Sequence, residues 1–267
     1  RYAPDTLKIQ KNNLIYEIKM MLEAVFGNNN KFKKVISSRI GLNNGIGLTL
    51  EQIAEKGEDY NFSDKVTRER VRQTQSKALD LIKKEIGLDY KKNILPSLEE
   101  IRDTLSSEKF LYSNDFAKII GFDFNTKLNS TFLFNLKILL KEFDSTFDYE
   151  YDDIRFQGKS KRIIFLKPFK IIGNINRILN FVKRGDIADK QTILNKFNIK
   201  EFEIIKVIKI FDLEFFPNQQ RFFWLKSERN RILKRLYRIF SINISLSYKE
   251  IILALSKIRT HAKLFNL

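Results

Sequence analysis

The sequence predicts a mainly α chain: a helix-turn-helix followed by tandem winged-helix-like domains with small β-hairpins. Three observations carry this. Near the N-terminus, two stretches with apolar faces each begin at a threonine placed to cap a helix, Thr49 and Thr67. Further on, KRIIFLK (Lys161 to Lys167) and QRFFWLK (Gln220 to Lys226) share one pattern: Arg, two apolar residues, an aromatic, Leu, Lys. Each of these follows a helical run ending in Phe-Asp, at Asp144 and at Asp212, which marks an internal duplication.

In LIYEIKMMLEAVF (residues 14 to 26), helical spacing puts Leu14, Ile18, Met21, Leu22 and Val25 on one face. Gly27-Asn28-Asn29-Asn30 ends that helix. A short helix from Lys31 to Arg39 is broken by Gly41 and by Asn43-Asn44-Gly45. Thr49 opens the next helix, with Gln52 completing a capping box, Leu50, Ile53 and Ala54 forming its apolar face, and Gly57 closing it. A polar loop, Glu58 to Lys65, leads to Thr67, which caps a helix expected over residues 67–85. Arg70 at its third position makes only half a capping box, while Glu69 suits the positive helix end. Val71, Ala78, Leu79 and Ile82 face inward. Arg68, Glu69, Arg72 and Gln73 share the opposite surface at the N-terminal tip, the layout by which a helix enters a major groove.

Past Pro96 the order helix, helix, helix, hairpin occurs twice. The first copy runs through Leu98 to Leu105, SNDFAKIIGF and the run up to Asp144. The second runs through Ile175 to Lys183, DKQTILNKFNI and the run up to Asp212. Gln157 to Ser160 and Pro217 to Gln220 are the expected hairpin tips, and RIIFL and RFFWL the strands. A third unit begins near Arg229, continues through a helix capped by Ser247, and reaches Leu267 without its hairpin. The expected divisions are 1–92, 96–170, 174–227 and an incomplete unit 228–267. The start at Arg1 and the missing third hairpin read as a piece of a longer chain.

Forty-nine Lys and Arg against 32 Asp and Glu leave a net charge of +17, which favours a polyanion partner through counterion release. Nine bases and no acid lie between Arg155 and Arg184, and six bases with one acid between Lys226 and Arg238. These either line a DNA-facing side or are solvated faces of amphipathic helices. With no cysteine and only His261, disulfides, thiolate metal sites and histidine clusters are excluded. No run approaches the roughly 20 apolar residues of a membrane span. No glycine-rich phosphate loop or nucleophile elbow is present. Asp148, Glu150, Asp152 and Asp153 near Lys159 and Lys161 raise the alternative of a metal-dependent nuclease hairpin. Their period of two, with Tyr149 and Tyr151 on the other side, reads instead as a strand with a charged outer face. No catalytic residue, metal, cofactor or membrane partner is expected. The abundance of Ile, Lys, Asn and Phe suggests an AT-rich bacterial genome and a cytoplasmic protein.

SRIGLNNGIGLTLEQIAEKG followed by VTRERVRQTQSKAL resembles the C-terminal promoter-binding domain, the fourth conserved region, of bacterial primary sigma factors. Arg39, Gly41 and Leu42 match its Arg-x-Gly-apolar element, and Thr49 to Ala54 its first helix. Thr67 to Gln73, with Lys77, Ala78 and Leu79, match its Thr-Arg-Glu-Arg-x-Arg-Gln helix. The resemblance covers about residues 10–90. The loop between the two helices is longer here, and Thr74 replaces an apolar residue. Nothing in the chain resembles the sigma domain that melts the promoter. The resemblance implies that Arg68, Glu69, Arg72 and Gln73 touch base edges and that Arg39 touches the DNA backbone. The side-chain chemistry agrees: Arg suits guanine, Glu accepts from cytosine, and Gln pairs with adenine. Thr67, Arg70, Lys77, Lys159, Lys161 and Arg162 are further candidates for backbone phosphates. The expected function is sequence-specific binding of double-stranded DNA, in transcription regulation or a defence system, with RNA polymerase a candidate partner. The alternatives are the DNA-binding part of a larger enzyme or polymerase assembly, and a winged-helix docking module.

Overall fold

The computed structural model describes residues 13–27, 30–62, 66–123, 125–167, 171–185, 187–216, 219–225, 231–242 and 245–256. It is mainly helical, as expected. The chain divides into two compact units. The first comprises 1–152 and 162–168, the second 153–161 and 169–267.

The first unit begins with α1 (Leu14–Phe26), α2 (Lys31–Ile40), α3 (Leu50–Glu55), a 3-10 turn (Gly57–Tyr60) and α4 (Arg68–Ile94). Local chemistry sets these boundaries. The Asn13 and Asn30 side chains accept from Tyr16 N at 2.9 Å and Phe32 N at 2.8 Å. Thr49 and Gln52 form the expected capping box, at 3.2 and 2.8 Å. Gly41, at φ +83°, takes the left-handed conformation that ends α2. Helix α4 runs beyond its expected end at residue 85.

There follow α5 (Ser97–Glu108), β1 (Phe110–Tyr112), α6 (Ser113–Ile120), α7 (Ser130–Phe143), β2 (Tyr149–Phe156) and β3 (Lys159–Leu166). The sheet order is β1-β3-β2, with Leu111 opposite Ile164. Gln157 and Gly158 both have positive φ, +50° and +76°, as a two-residue hairpin turn with right-handed strand twist requires. In the second unit the order recurs: α8 (Ile171–Gly185), β4 (Ile187–Asp189), α9 (Lys190–Phe197), α10 (Glu201–Ile210), β5 (Leu213–Phe216) and β6 (Gln219–Leu225). Its sheet order is β4-β6-β5. The sequence reading had no strand between the first two helices of either copy. Three residues are too few to show a period of two, so β1 and β4 were illegible. Helices α11 (Arg231–Ile242) and α12 (Tyr248–Ser256) end the described chain. The expected tip residues Pro217 and Asn218, and His261, lie outside the described residues. Among the described residues no helix is long and apolar enough to cross a membrane.

One expectation is corrected. The boundary between 1–92 and 96–170 falls inside a single core, where Leu14, Ile18, Leu22, Ala78 and Ile82 cluster with Phe116, Leu136, Tyr149 and Ile164. The cause is α7. It buries Phe132, Leu133, Asn135, Leu136, Leu139, Leu140 and Phe143, too broad an apolar surface for one neighbour. It packs against α2 and α4. Elsewhere its Phe132 ring meets Phe122 at 5.6 Å, and its Leu133 carbonyl accepts from the Tyr149 hydroxyl.

The start of α7 is stitched to the α2–α3 segment by Asn129. Its Oδ1 accepts from Gly47 N at 3.0 Å and from Phe132 N at 2.7 Å, and its Nδ2 donates to Gly47 O at 2.8 Å. One side chain thus caps α7 and pairs with a backbone 82 positions away.

Candidate nucleic-acid interface

The tip of α4 is set by Thr67, whose hydroxyl accepts from Arg70 N at 3.2 Å. Val71, Ala78 and Ile82 point inward and are fully buried. Thr74 is also buried, and its hydroxyl donates to the Arg70 carbonyl at 2.9 Å, which satisfies the polar group that stands where the sigma pattern has an apolar one. Arg68, Glu69, Arg70, Arg72, Gln73 and Lys77 are exposed.

The four base-reading candidates share a surface, and three of them, Glu69, Arg72 and Gln73, are hydrogen-bonded to one another. Both Glu69 oxygens accept from Arg72, at 2.7 and 2.8 Å, and one also accepts from Gln73 at 3.3 Å. The hydrogen bonds from Arg72 hold the Glu69 carboxyl below its usual range, and Glu69 in turn raises Arg72. Arg68 pairs with Glu51 of α3 at 3.0 Å. These pairs are exposed, so water and salt screen them and a competing hydrogen-bonding partner can displace them. In its absence they hold the guanidinium and amide groups in one pose.

The long loop before α4 is anchored at its start. Tyr60 is buried with Val35, Ile53 and Val71 in a small core under α2, α3 and α4. Lys34 donates to the Asp59 carbonyl at 3.2 Å and to Asn61 Oδ1 at 2.9 Å. Asp64 and Lys65 lie outside the described residues.

Arg39 is only 8% exposed, and burial lowers its pKa from the ordinary arginine value. Nε donates to Gln75 Oε1 at 2.9 Å and Nη1 to the Leu48 carbonyl. Gln75 continues to Asn135 Oδ1 of α7 at 3.1 Å, and Asn135 to the Thr131 carbonyl at 2.7 Å. This chain of polar groups braces α4 from behind, between α2 and α7. Arg39 also lines an open cleft of about 320 Å³ with Glu51, Arg68, Ser130, Phe134 and Tyr151. Sequence reasoning missed Gln75, Asn129 and Asn135. The position of Asn129 before an apolar run was a readable cap signal; the partners of Gln75 and Asn135 left none.

The remaining candidates are dispersed. Arg162 donates to the Leu128 carbonyl at 2.8 Å and Ser130 Oγ at 3.0 Å, and lies 5.3 Å from the Tyr151 ring centre. It secures the hairpin base to the start of α7. Lys159, exposed, and Lys161, half-buried, are on the part of β3 that belongs to the second unit.

In the acidic stretch, Asp148 meets Lys137 at 2.6 Å and Lys141 at 3.3 Å, and Glu150 meets Lys167 at 2.6 Å. The hydrogen bonds from Lys137 and Lys141 hold the Asp148 carboxyl below its usual range. Tyr149, on the alternate face, is fully buried. Among the described residues no three His, Cys, Asp or Glu side chains are grouped to hold a metal ion.

A polyanion gripped through these exposed bases should leave with rising salt. For six to ten phosphate contacts, duplex affinity should fall on the order of 10³-fold or more between 50 and 200 mM salt. A flat salt titration of fluorescence anisotropy would remove the polyanion reading. Compared with known proteins, the chain matches no family model, no curated protein and no solved structure.

Proposed function

We propose that this chain binds double-stranded DNA sequence-specifically and reads the major groove with the N-terminal turns of α4. One observation carries the reading: Arg68, Glu69, Arg72 and Gln73 stand together on an exposed, capped helix tip braced from behind by α2 and α7. Phosphate contacts come from Arg70, Lys77 and the helix amides; base discrimination comes from Arg72 and its neighbours. The repeated order helix, strand, helix, helix, hairpin, with the first strand beside the last, supports naming each copy a winged helix. In the first copy α7, its third helix, is spent on packing against α2 and α4, so it serves as scaffold and α4 as reader. We assign the chain no reaction and no cofactor, place it in the cytoplasm, and take transcription regulation or DNA defence as its setting.

A second reading is that the chain is the DNA-binding part of a larger assembly, with RNA polymerase a candidate through the sigma resemblance. The apolar Phe202 and Ile205 side chains on α10, 37% and 44% exposed, favour it as protein-docking groups. Selection of duplexes from a random pool by the purified chain tests the first reading. An enriched motif of a few adjacent base pairs is expected. Enrichment of no motif overturns base reading by α4 and leaves the assembly reading.

A further inference from the structure

We propose that α11 carries a second nucleic-acid site, one that takes unpaired nucleotides, of DNA or RNA, and is independent of α4. The helix holds four bases and no acid. Ile232 is buried and Leu236 and Ile239 are half-buried along one side. The opposite side presents Lys234, Tyr237 and Arg238, which helical spacing of three and four brings together. Arg231 donates to the Lys183 carbonyl of α8 at 2.8 Å, so the helix is fastened where it lies.

Two features separate this face from an ordinary solvated one. Tyr237 is 71% exposed, so its ring is not used mainly for packing. Lys234 and Arg238 have no acidic partner among the described residues. A bare ring between cations that have no acidic partner is what a single strand needs: a base stacks on the ring while the cations follow the phosphates. Within a paired duplex the base faces are closed to such a ring, so Tyr237 would add nothing there. The charge, all of one sign, favours a polyanion over a protein partner.

The test uses the full chain and labelled oligonucleotides of about 20 nucleotides, a span chosen to exceed the roughly 4–16-nucleotide sites of single-strand binders. Oligo-dT and oligo-U arms separate DNA from RNA. Binding of either is expected. Tyr237→Ala should weaken it roughly ten-fold or more, while Tyr237→Phe retains it, because the ring and not the hydroxyl does the stacking. The double variant Lys234→Gln/Arg238→Gln should lower the salt slope by roughly 1.4, two phosphates at about 0.7 each. Tyr237→Ala should leave affinity for the selected duplex unchanged, so failure of α4 as a reader and failure of this site give different results. The inference is overturned if neither oligonucleotide binds, or if Tyr237→Ala binds as tightly as the parent. It is equally overturned if Tyr237→Ala instead abolishes self-association of the chain.

Discussion

Replacing Gly47 with alanine should destabilise the first unit by about 2–4 kcal/mol. A Cβ at this position would stand 2.5 Å from the Arg39 carbonyl oxygen and 2.7 Å from Phe132 N. Both are backbone atoms of packed helices, so neither can swing away as the end of a side chain would. To make room, the start of α7 must retreat from α2. That retreat stretches both hydrogen bonds between Gly47 and Asn129 and withdraws α7 from the core it shares with α4. Urea unfolding followed by circular dichroism at 222 nm reads the effect. Gly173→Ala is the control: an added Cβ there meets nothing within 4 Å, and in helix α8 alanine should be neutral or stabilise by up to about 1 kcal/mol. Equal urea midpoints for Gly47→Ala and the parent would show that this close approach is not needed.

Arg72→Ala should weaken binding to the selected duplex about 5- to 150-fold and relax the choice at one base pair. A scrambled duplex should lose much less, because it is held by phosphate contacts alone. The geometry adds a requirement. Glu69 holds the Arg72 guanidinium with both oxygens, so the two side chains act as one preset pair. Glu69→Ala should therefore also lower discrimination at the Arg72 base pair, and the double variant should lose less than the sum of the single losses. Lys77→Ala should instead weaken all duplexes alike and reduce the salt slope by about one. Circular dichroism should stay unchanged throughout, because all three side chains are exposed. If Arg72→Ala weakens selected and scrambled duplexes equally, α4 is not the reader.

Much of the local architecture was legible because its causes are local. A threonine or serine three residues before its partner amide writes its own helix start, so Thr49, Thr67 and the Ser247–Glu250 pair could be read directly. The hairpins showed through repetition. What stayed hidden depends on partners distant in sequence. Nothing near Gln75 announces Asn135, 60 positions on, and nothing near Gly47 announces Asn129. Arg39 carries the residue type of a phosphate contact, yet two of its nitrogens are committed inside the fold. Arg162 looked like a basic residue on a strand; the carbonyl and hydroxyl that hold it belong to the start of α7 and the residues just before it, whose position only the tertiary fold sets. The α4 surface was legible as a group, whereas the pairing of Glu69 with Arg72 had to be seen.

The single core beneath α4 and α7 has a consequence for modularity. A helix-turn-helix is commonly regarded as a cassette to be cut out, grafted onto another scaffold or exchanged. Here, severing the chain near residue 92 would strip α2 and α4 of the helix that seals their inner side and would leave Gln75 without Asn135. The excised piece would carry a sticky apolar flank into solution, prone to clumping. Chimaeras that borrow α4 must take α7 and the Asn129 turn with it, so the transferable part is larger than the motif that reveals it.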